Sequence, residues 1–226
     1  MHFEILYRPA AALARVHLRP GESIVAESGA MVGMSTSVQM QTGMGGGGLL
    51  KGLGRALFGG ESFFRNTFTA AGGDGEVLLA HTLSGDQVVI DVEPSRPVHL
   101  QSSAYIASEP TVELDTKVGG FRTFFGGEGL FVMKAHGRGQ VLVGAFGGIE
   151  ELACDGSLVI DTGHLVAWDA GLQFTVGRSA SGLMASFLSG EGLVCHFTGH
   201  GRIWIQTRNP AEYGREVGHQ LPPREG

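Results

Sequence analysis

The chain has 226 residues, 38 of them glycine, and a formal charge of −6 at pH 7. That length can bury a sizeable core, and an apolar share of 42% excludes wholesale disorder. The acidic balance, with no run of Lys and Arg, argues against a nucleic-acid-binding surface.

Glycine stands at more than twice its usual share without a collagen triplet, which points to many turns and short strands. The N-terminus, MHFEILYRPAAALARVHLRPGES, has no basic start followed by a long apolar run, so no signal peptide is expected. No stretch reaches the roughly 18–20 apolar residues of a transmembrane helix. The two cysteines, Cys154 and Cys195, lie far apart and form no CxxC, which fits a reducing compartment rather than a disulfide scaffold. The expected location is the cytoplasm, with at most peripheral contact with a membrane.

In chain order, the first clear element is SGAMVGMSTSVQMQTG from Ser28. Its second half alternates, with Val38 and Met40 on one face, as a half-buried strand requires. A flexible glycine run from Gly43 to Gly48 leads into GLLKGLGRALFGGE. If Leu49–Phe58 is helical, Leu49, Leu50, Leu53 and Leu57 form one apolar face, while Lys51 and Arg55 project from another. Gly52 and Gly54 each weaken that helix by roughly 1 kcal/mol. Such a segment could cap its own core, dock on a neighbouring subunit or lie in a membrane interface. Glu61 then opens an apolar strand, a glycine-rich turn at Gly72–Gly75 and a second apolar strand.

The same order returns twice. SSAYIASEPTVELDTK from Ser102 and TGHLVAWDAGLQFTVG from Thr162 align with the Ser28 stretch without gaps. Val112 with Leu114, and Leu172 with Phe174 and Val176, take the apolar face. Each stretch is followed by a short apolar segment in which Phe58, Phe125 and Leu188 hold equivalent places, and which could be a helical turn. Gly-Glu follows again at Glu128 and Glu191, with hairpin turns expected at Gly137–Gly139 and Gly199–Gly201. The expected fold is all-β, a single domain over residues 1–226. It holds three pseudo-repeats, at about 1–83, 84–148 and 149–210, with a polar tail at 211–226. Units this small are expected to form one compact body with pseudo-threefold symmetry, its core built where they meet.

These ordered motifs carry a resemblance over nearly the whole chain. SGAMVGM, GESFFRNTF, GHLVAWD and GHGRIWIQTR together resemble the "altered inheritance of mitochondria" family. The resemblance implies a fold like the tryptophan RNA-binding attenuator protein superfamily, with a β-sandwich or double-stranded β-helix unit used three times. It also implies a link to inner-membrane organisation and respiratory-complex integrity, known for the mitochondrial members. Without a transit peptide, this chain looks like a prokaryotic member. The RNA-binding role of the wider superfamily depends on lysine-rich ring edges and does not carry over to this acidic chain. The resemblance supplies no catalytic residue.

Residue chemistry adds candidates without a convergent set. Glu61, Glu128 and Glu191 recur, and three carboxylates around an axis could hold a cation. A Glu after Gly at a strand start can equally accept backbone N–H bonds and fix the turn, and duplication alone explains the recurrence. A small-molecule or metal site would use His164, His196 or these repeated glutamates. His196 and His200 are four apart, but the turn expected after Phe197 keeps them off a shared helical face. No GxSxG and no phosphate-loop ending are present, and no cofactor is expected. Cys154 and Cys195 lie in apolar surroundings and are expected to pack. The leading expectation is a non-enzymatic scaffold or interaction protein. It would use its β-surface and the Gly43–Gly60 insertion to reach a protein partner, a second copy or a membrane surface. The alternatives are a small-molecule or metal-binding β-barrel, enzymatic or not, and RNA binding by superfamily analogy alone.

Overall fold

Alternating apolar and polar residues make strands the dominant element of the computed structural model. It describes residues 1–44, 57–58, 61–62, 64–115, 123–125, 128–130, 132–178 and 193–222. Residues 1–83 hold β1 (His2–Leu6), β2 (Leu13–Leu18), β3 (Ser23–Glu27), β4 (Met31–Met34), β5 (Val38–Met44), β6 (Leu57–Phe58), β7 (Glu61–Ser62), β8 (Phe64–Ala70) and β9 (Gly75–Leu79). Residues 84–148 hold β10 (Gln87–Val92), β11 (Val98–Gln101), β12 (Tyr105–Ser108), β13 (Val112–Asp115), β14 (Thr123–Phe125), β15 (Glu128–Leu130), β16 (Val132–Gly137) and β17 (Gly139–Gly144). The last third holds β18 (Ile149–Asp161), β19 (Leu165–Asp169), β20 (Gln173–Arg178), β21 (Leu193–Gln206) and one helix, α1 (Pro210–Gln220).

The strands pair antiparallel into three main sheets. One runs β1-β2-β9-β4, a second β10-β17-β12-β3-β8-β5, and a third β13-β16-β11-β19-β21-β18, with β20 also on β21. Strand periodicity explains the inner faces. In β2, Ala14, Val16 and Leu18 point inward while Leu13, Arg15 and His17 do not.

The core is divided into three clusters rather than gathered into one. The first joins Val16, Leu18, Ile24, Phe68, Val77 and Leu79, with Ile106 and Leu142 reaching in from the middle third. The second joins Val98, Leu100, Tyr105, Met133 and Val141, with Val166 and Trp204 from the last third. The third gathers Leu165, Trp168, Leu172, Cys195, Phe197 and Ile203. Each fully buried large side chain stabilises the fold by roughly 1.5–3 kcal/mol.

Four expectations need correction. The glycine-rich stretches are corners, not hairpins. β8 and β9 enter different sheets, as do β16 and β17. At the third corner the chain does not break at all, and β21 runs through Gly199–Gly201 as continuous strand. It pairs with β18 at every position from Ile149–Gln206 to Asp161–Val194. Gly156 and Gly199 face each other in that ladder with φ of 104° and 116°, so both strands bend together where other residues would be strained.

The short apolar segments are strand where they are described. β6 pairs β7 with Phe58 opposite Glu61, and β14 pairs β15 with Phe125 opposite Glu128. Local strand pairing has overridden the weak helical periodicity at Leu57 and Phe58.

Met40 is exposed although Val38 is buried, because β5 is the edge strand of its sheet.

The expected polar tail contains α1. Its start was written in the sequence: Asn209 Oδ1 accepts from the N–H groups of Ala211 (3.0 Å) and Glu212 (3.4 Å), and Pro210 follows the cap. No α1 residue is buried, and its ring contact is Tyr213 on Phe146 at 5.0 Å between centroids.

Candidate functional site

The sequence-derived site residues are not gathered into one place. Glu61 opens β7 and Glu128 opens β15, in two separate two-stranded sheets. Glu191 lies outside the described residues, and so do Leu49, Leu50, Lys51, Leu53 and Arg55 of the insertion. Leu57 and Phe58 form β6.

His164 sits in a 3-10 turn at Thr162–His164, where its Nδ1 donates to the Gln206 carbonyl at 2.7 Å. The Gln206 side chain completes that corner, donating to the Gly163 carbonyl and accepting from the Phe146 N–H. His164 is therefore engaged in joining β21 to the turn. His196 is exposed on β21, opposite Val159 and Thr175. Among the described residues, no group of three or more His, Cys, Asp or Glu stands close enough to hold a metal ion.

The cysteines are packing residues. Both are buried and free, and burial pushes the Cys195 thiol up to about 12, with Asp161 adding to the shift.

Three polar features escaped the sequence reading. On the outer face of the four-stranded sheet, His17 lies 3.0 Å from Glu76 and 3.5 Å from Glu4, while Arg15 reaches Glu4 at 3.2 Å. His17 also lines an open cleft of about 660 Å³ with His2, Arg19, Asp74 and Glu76. Cross-strand register brings these groups together, and no linear motif marks them.

The second feature is Asp169, which is almost buried. It accepts from the Arg202 side chain at 2.8 and 3.1 Å and from the Arg202 N–H at 2.9 Å. These bonds raise the Arg202 pKa, and the guanidinium also lies 4.6 Å from the Trp204 ring centre.

The third is His99, edge-on to Trp168 and Phe174 at 5.5 and 6.1 Å. Burial lowers its pKa to about 4, with Lys134 on the neighbouring strand adding to the shift. His99 Nδ1 and Trp168 Nε1 are both buried with no hydrogen-bond partner among the described residues.

The most distinctive surface is apolar. Met31, Val32 and Met34 are exposed on β4, and Val159 is exposed on β18. Natural sheets usually cover or charge such edges. In the described pairings β4 has a partner on one side only, β9, and the Ser157–Asp161 half of β18 has only β21.

No helix among the described residues is long and apolar enough to cross a membrane. The comparisons with known proteins agree over nearly the full length. A family model described as mitochondrial biogenesis AIM24 matches residues 3–208. An uncharacterized protein of Streptococcus pyogenes serotype M6 is 32% identical over 220 residues, covering 93% of this chain and 87% of that protein. The crystal structure of a Streptococcus pyogenes protein is similar with a TM-score of 0.80 and 32% identity, covering 97% of this chain and 99% of that chain. On the strength of that full-length match, this chain belongs to the mitochondrial biogenesis AIM24 family.

Proposed function

We propose that this protein is a non-enzymatic scaffold, built from three copies of one strand-pairing unit and working through its sheet edges and the Gly43–Gly60 insertion. In the first third, β5-β8-β3 and β2-β9-β4 form two layers. In the middle third the layers are β13-β16-β11 and β10-β17-β12. In the last third β18 and β21 serve both layers, with β20 completing one and β19 the other. Each pair of layers encloses one of the three core clusters. This arrangement supports the sandwich unit that the family resemblance implies.

The single observation that carries the scaffold reading is how the thirds are joined. β3 pairs with β12, and β11 pairs with β19, so each joint extends one sheet into the next by its edge. Edge-to-edge addition is a general way for β-proteins to recruit further strands. The insertion offers a second contact, to a neighbouring protein or to a membrane interface, through Leu49, Leu53, Leu57, Lys51 and Arg55.

The test has two arms. The intact protein and a Leu49→Ser/Leu53→Ser/Leu57→Ser variant are floated with vesicles of phosphatidylglycerol and phosphatidylethanolamine, with circular dichroism showing that both are folded. Flotation lost in the variant supports a membrane-associated scaffold. In parallel, the protein is incubated with a broad metabolite mixture. Turnover of a small molecule that a point mutation abolishes would overturn the reading.

A further inference from the structure

We infer that the β4 edge of one copy pairs with the Ser157–Asp161 edge of β18 in a second copy, so that the chains assemble head to tail. The inference rests on the three-unit reading above and deepens it by naming the partner. It starts from the two internal joints, which share one register. In the first, Ala107 pairs with Ala26 and Ser108 with Val25. In the second, Ala167 pairs with Leu100 and Trp168 with His99.

The gapless alignment of Ser28, Ser102 and Thr162 makes Ala107 equivalent to Ala167, and both equivalent to Gly33. Counting back from the same residues, Ala26 and Leu100 are equivalent to Ile160, and Val25 and His99 to Val159. A third joint of the same kind therefore sets Gly33 opposite Ile160 and Met34 opposite Val159.

Burial leaves this third joint unfilled among the described residues. Ile106 and Val166, which seal the cores of the preceding units, are 1% and 0% exposed, whereas the equivalent Val32 is 59% exposed. Tyr105 and Leu165 are buried, whereas the equivalent Met31 is exposed. On the other end, His99 is 9% exposed and Val159 is 54% exposed. Ile24 with Ala26 and Val98 with Leu100 are fully buried, while their counterparts Leu158 and Ile160 are only half-buried against the third cluster.

Among the described residues, one end of the chain thus carries a surplus apolar strand edge, and the other end has no strand to seal its core. The two ends are complementary to each other and not to themselves. Their contact is therefore heterologous, and its repetition closes a ring or extends a filament. A second copy is the occupant that presents the matching edge in the register already used twice within the chain.

The experiment is directed crosslinking of the full-length protein. Met34→Cys and Val159→Cys are made in separate chains and mixed under mild oxidation. Antiparallel neighbours fall within the Cα separation of about 4.4–6.8 Å that a disulfide needs. The native cysteines are buried, so the background is low. The expected result is a covalent dimer joining position 34 of one copy to position 159 of the other. It should form several-fold faster in the mixture than with either variant alone, and be lost when the Met34→Cys chain also carries Val32→Lys.

Both parent positions are exposed, so the variants should fold, and circular dichroism checks this. No dimer in the mixture overturns the inference. An uncrosslinked mixture with an internal disulfide in the Met34→Cys/Val159→Cys double variant overturns it in favour of closure within one chain. A protein that gives no dimer yet floats with vesicles would overturn head-to-tail assembly and leave the scaffold reading in place.

Discussion

Protonation of His99 is a perturbation whose cost can be worked from the structure. His99 lies at the joint between β11 and β19, among Trp168 and Phe174, with Lys134 opposite it on β16. Its pKa falls from 6.5 to about 4, first because burial disfavours the charged ring and then because Lys134 repels it. Each pKa unit corresponds to about 1.4 kcal/mol, so the full linkage is about 3 kcal/mol. The sign follows from the depressed value. Above pH 6.5 the ring is neutral in both states and the stability is complete. Between pH 6.5 and about 4 the unfolded chain takes up the proton and the folded chain does not, so stability is lost as pH falls. At pH 5 the loss amounts to about 2 kcal/mol. Urea unfolding at pH 7 and pH 5 should show the wild type losing about that much more than His99→Phe, which keeps an aromatic ring and cannot titrate. Equal losses in the two proteins, or a His99 resonance titrating at 6.5 or above, would refute the reasoning.

Other consequences follow from single contacts. Asp169→Ala leaves Arg202 without its bidentate partner next to the third cluster, and should cost about 2–4 kcal/mol in urea unfolding. Gly85→Ala places a methyl group against the Ala145 carbonyl and Gly147 backbone, and should lower stability by about 1–3 kcal/mol, read as a fall in Tm. Truncation after Asn209 removes a helix with no buried residue, so the unfolding midpoint should move by less than about 1 kcal/mol equivalent. Cys195 should resist iodoacetamide at pH 8 in the native protein and react after unfolding, since its thiol is held at about 12 by burial.

The fold was legible where periodicity is strong. The alternating second halves of the stretches from Ser28, Ser102 and Thr162 become β5, β13 and β20, because a period of two with apolar residues on one side has few other solutions. The glycine stretches announced changes of direction but not their kind. A glycine at positive φ serves a hairpin and a sheet corner equally, and only pairing between distant strands decides which. That is why β21 continues through Gly199–Gly201 as one bent strand, paired with β18 from Val194 to Gln206. The polar composition of 211–226 reads as a tail, whereas the Asn209–Pro210 start signal just before it marks helix α1.

The candidate surfaces were less legible. His17 with Glu76 and Asp169 with Arg202 are each distant in sequence, and register alone unites them. On the three-unit reading proposed above, His99, Val25 and Val159 hold the same place, yet one is buried, one half-buried and one exposed. Val25 and His99 lie on strands paired on both sides, whereas among the described residues the Val159 half of β18 is paired only with β21, which no local pattern records.

The measurement that bears most directly on edge-to-edge assembly is the molar mass by light scattering over a range of concentrations, beside Val159→Lys. The account predicts that the wild type rises above the monomer mass as concentration increases, while Val159→Lys, which sets a charge on the β18 edge, stays monomeric and folded. A wild type that remains monomeric at every concentration, or a Val159→Lys protein that assembles as the wild type does, would contradict it.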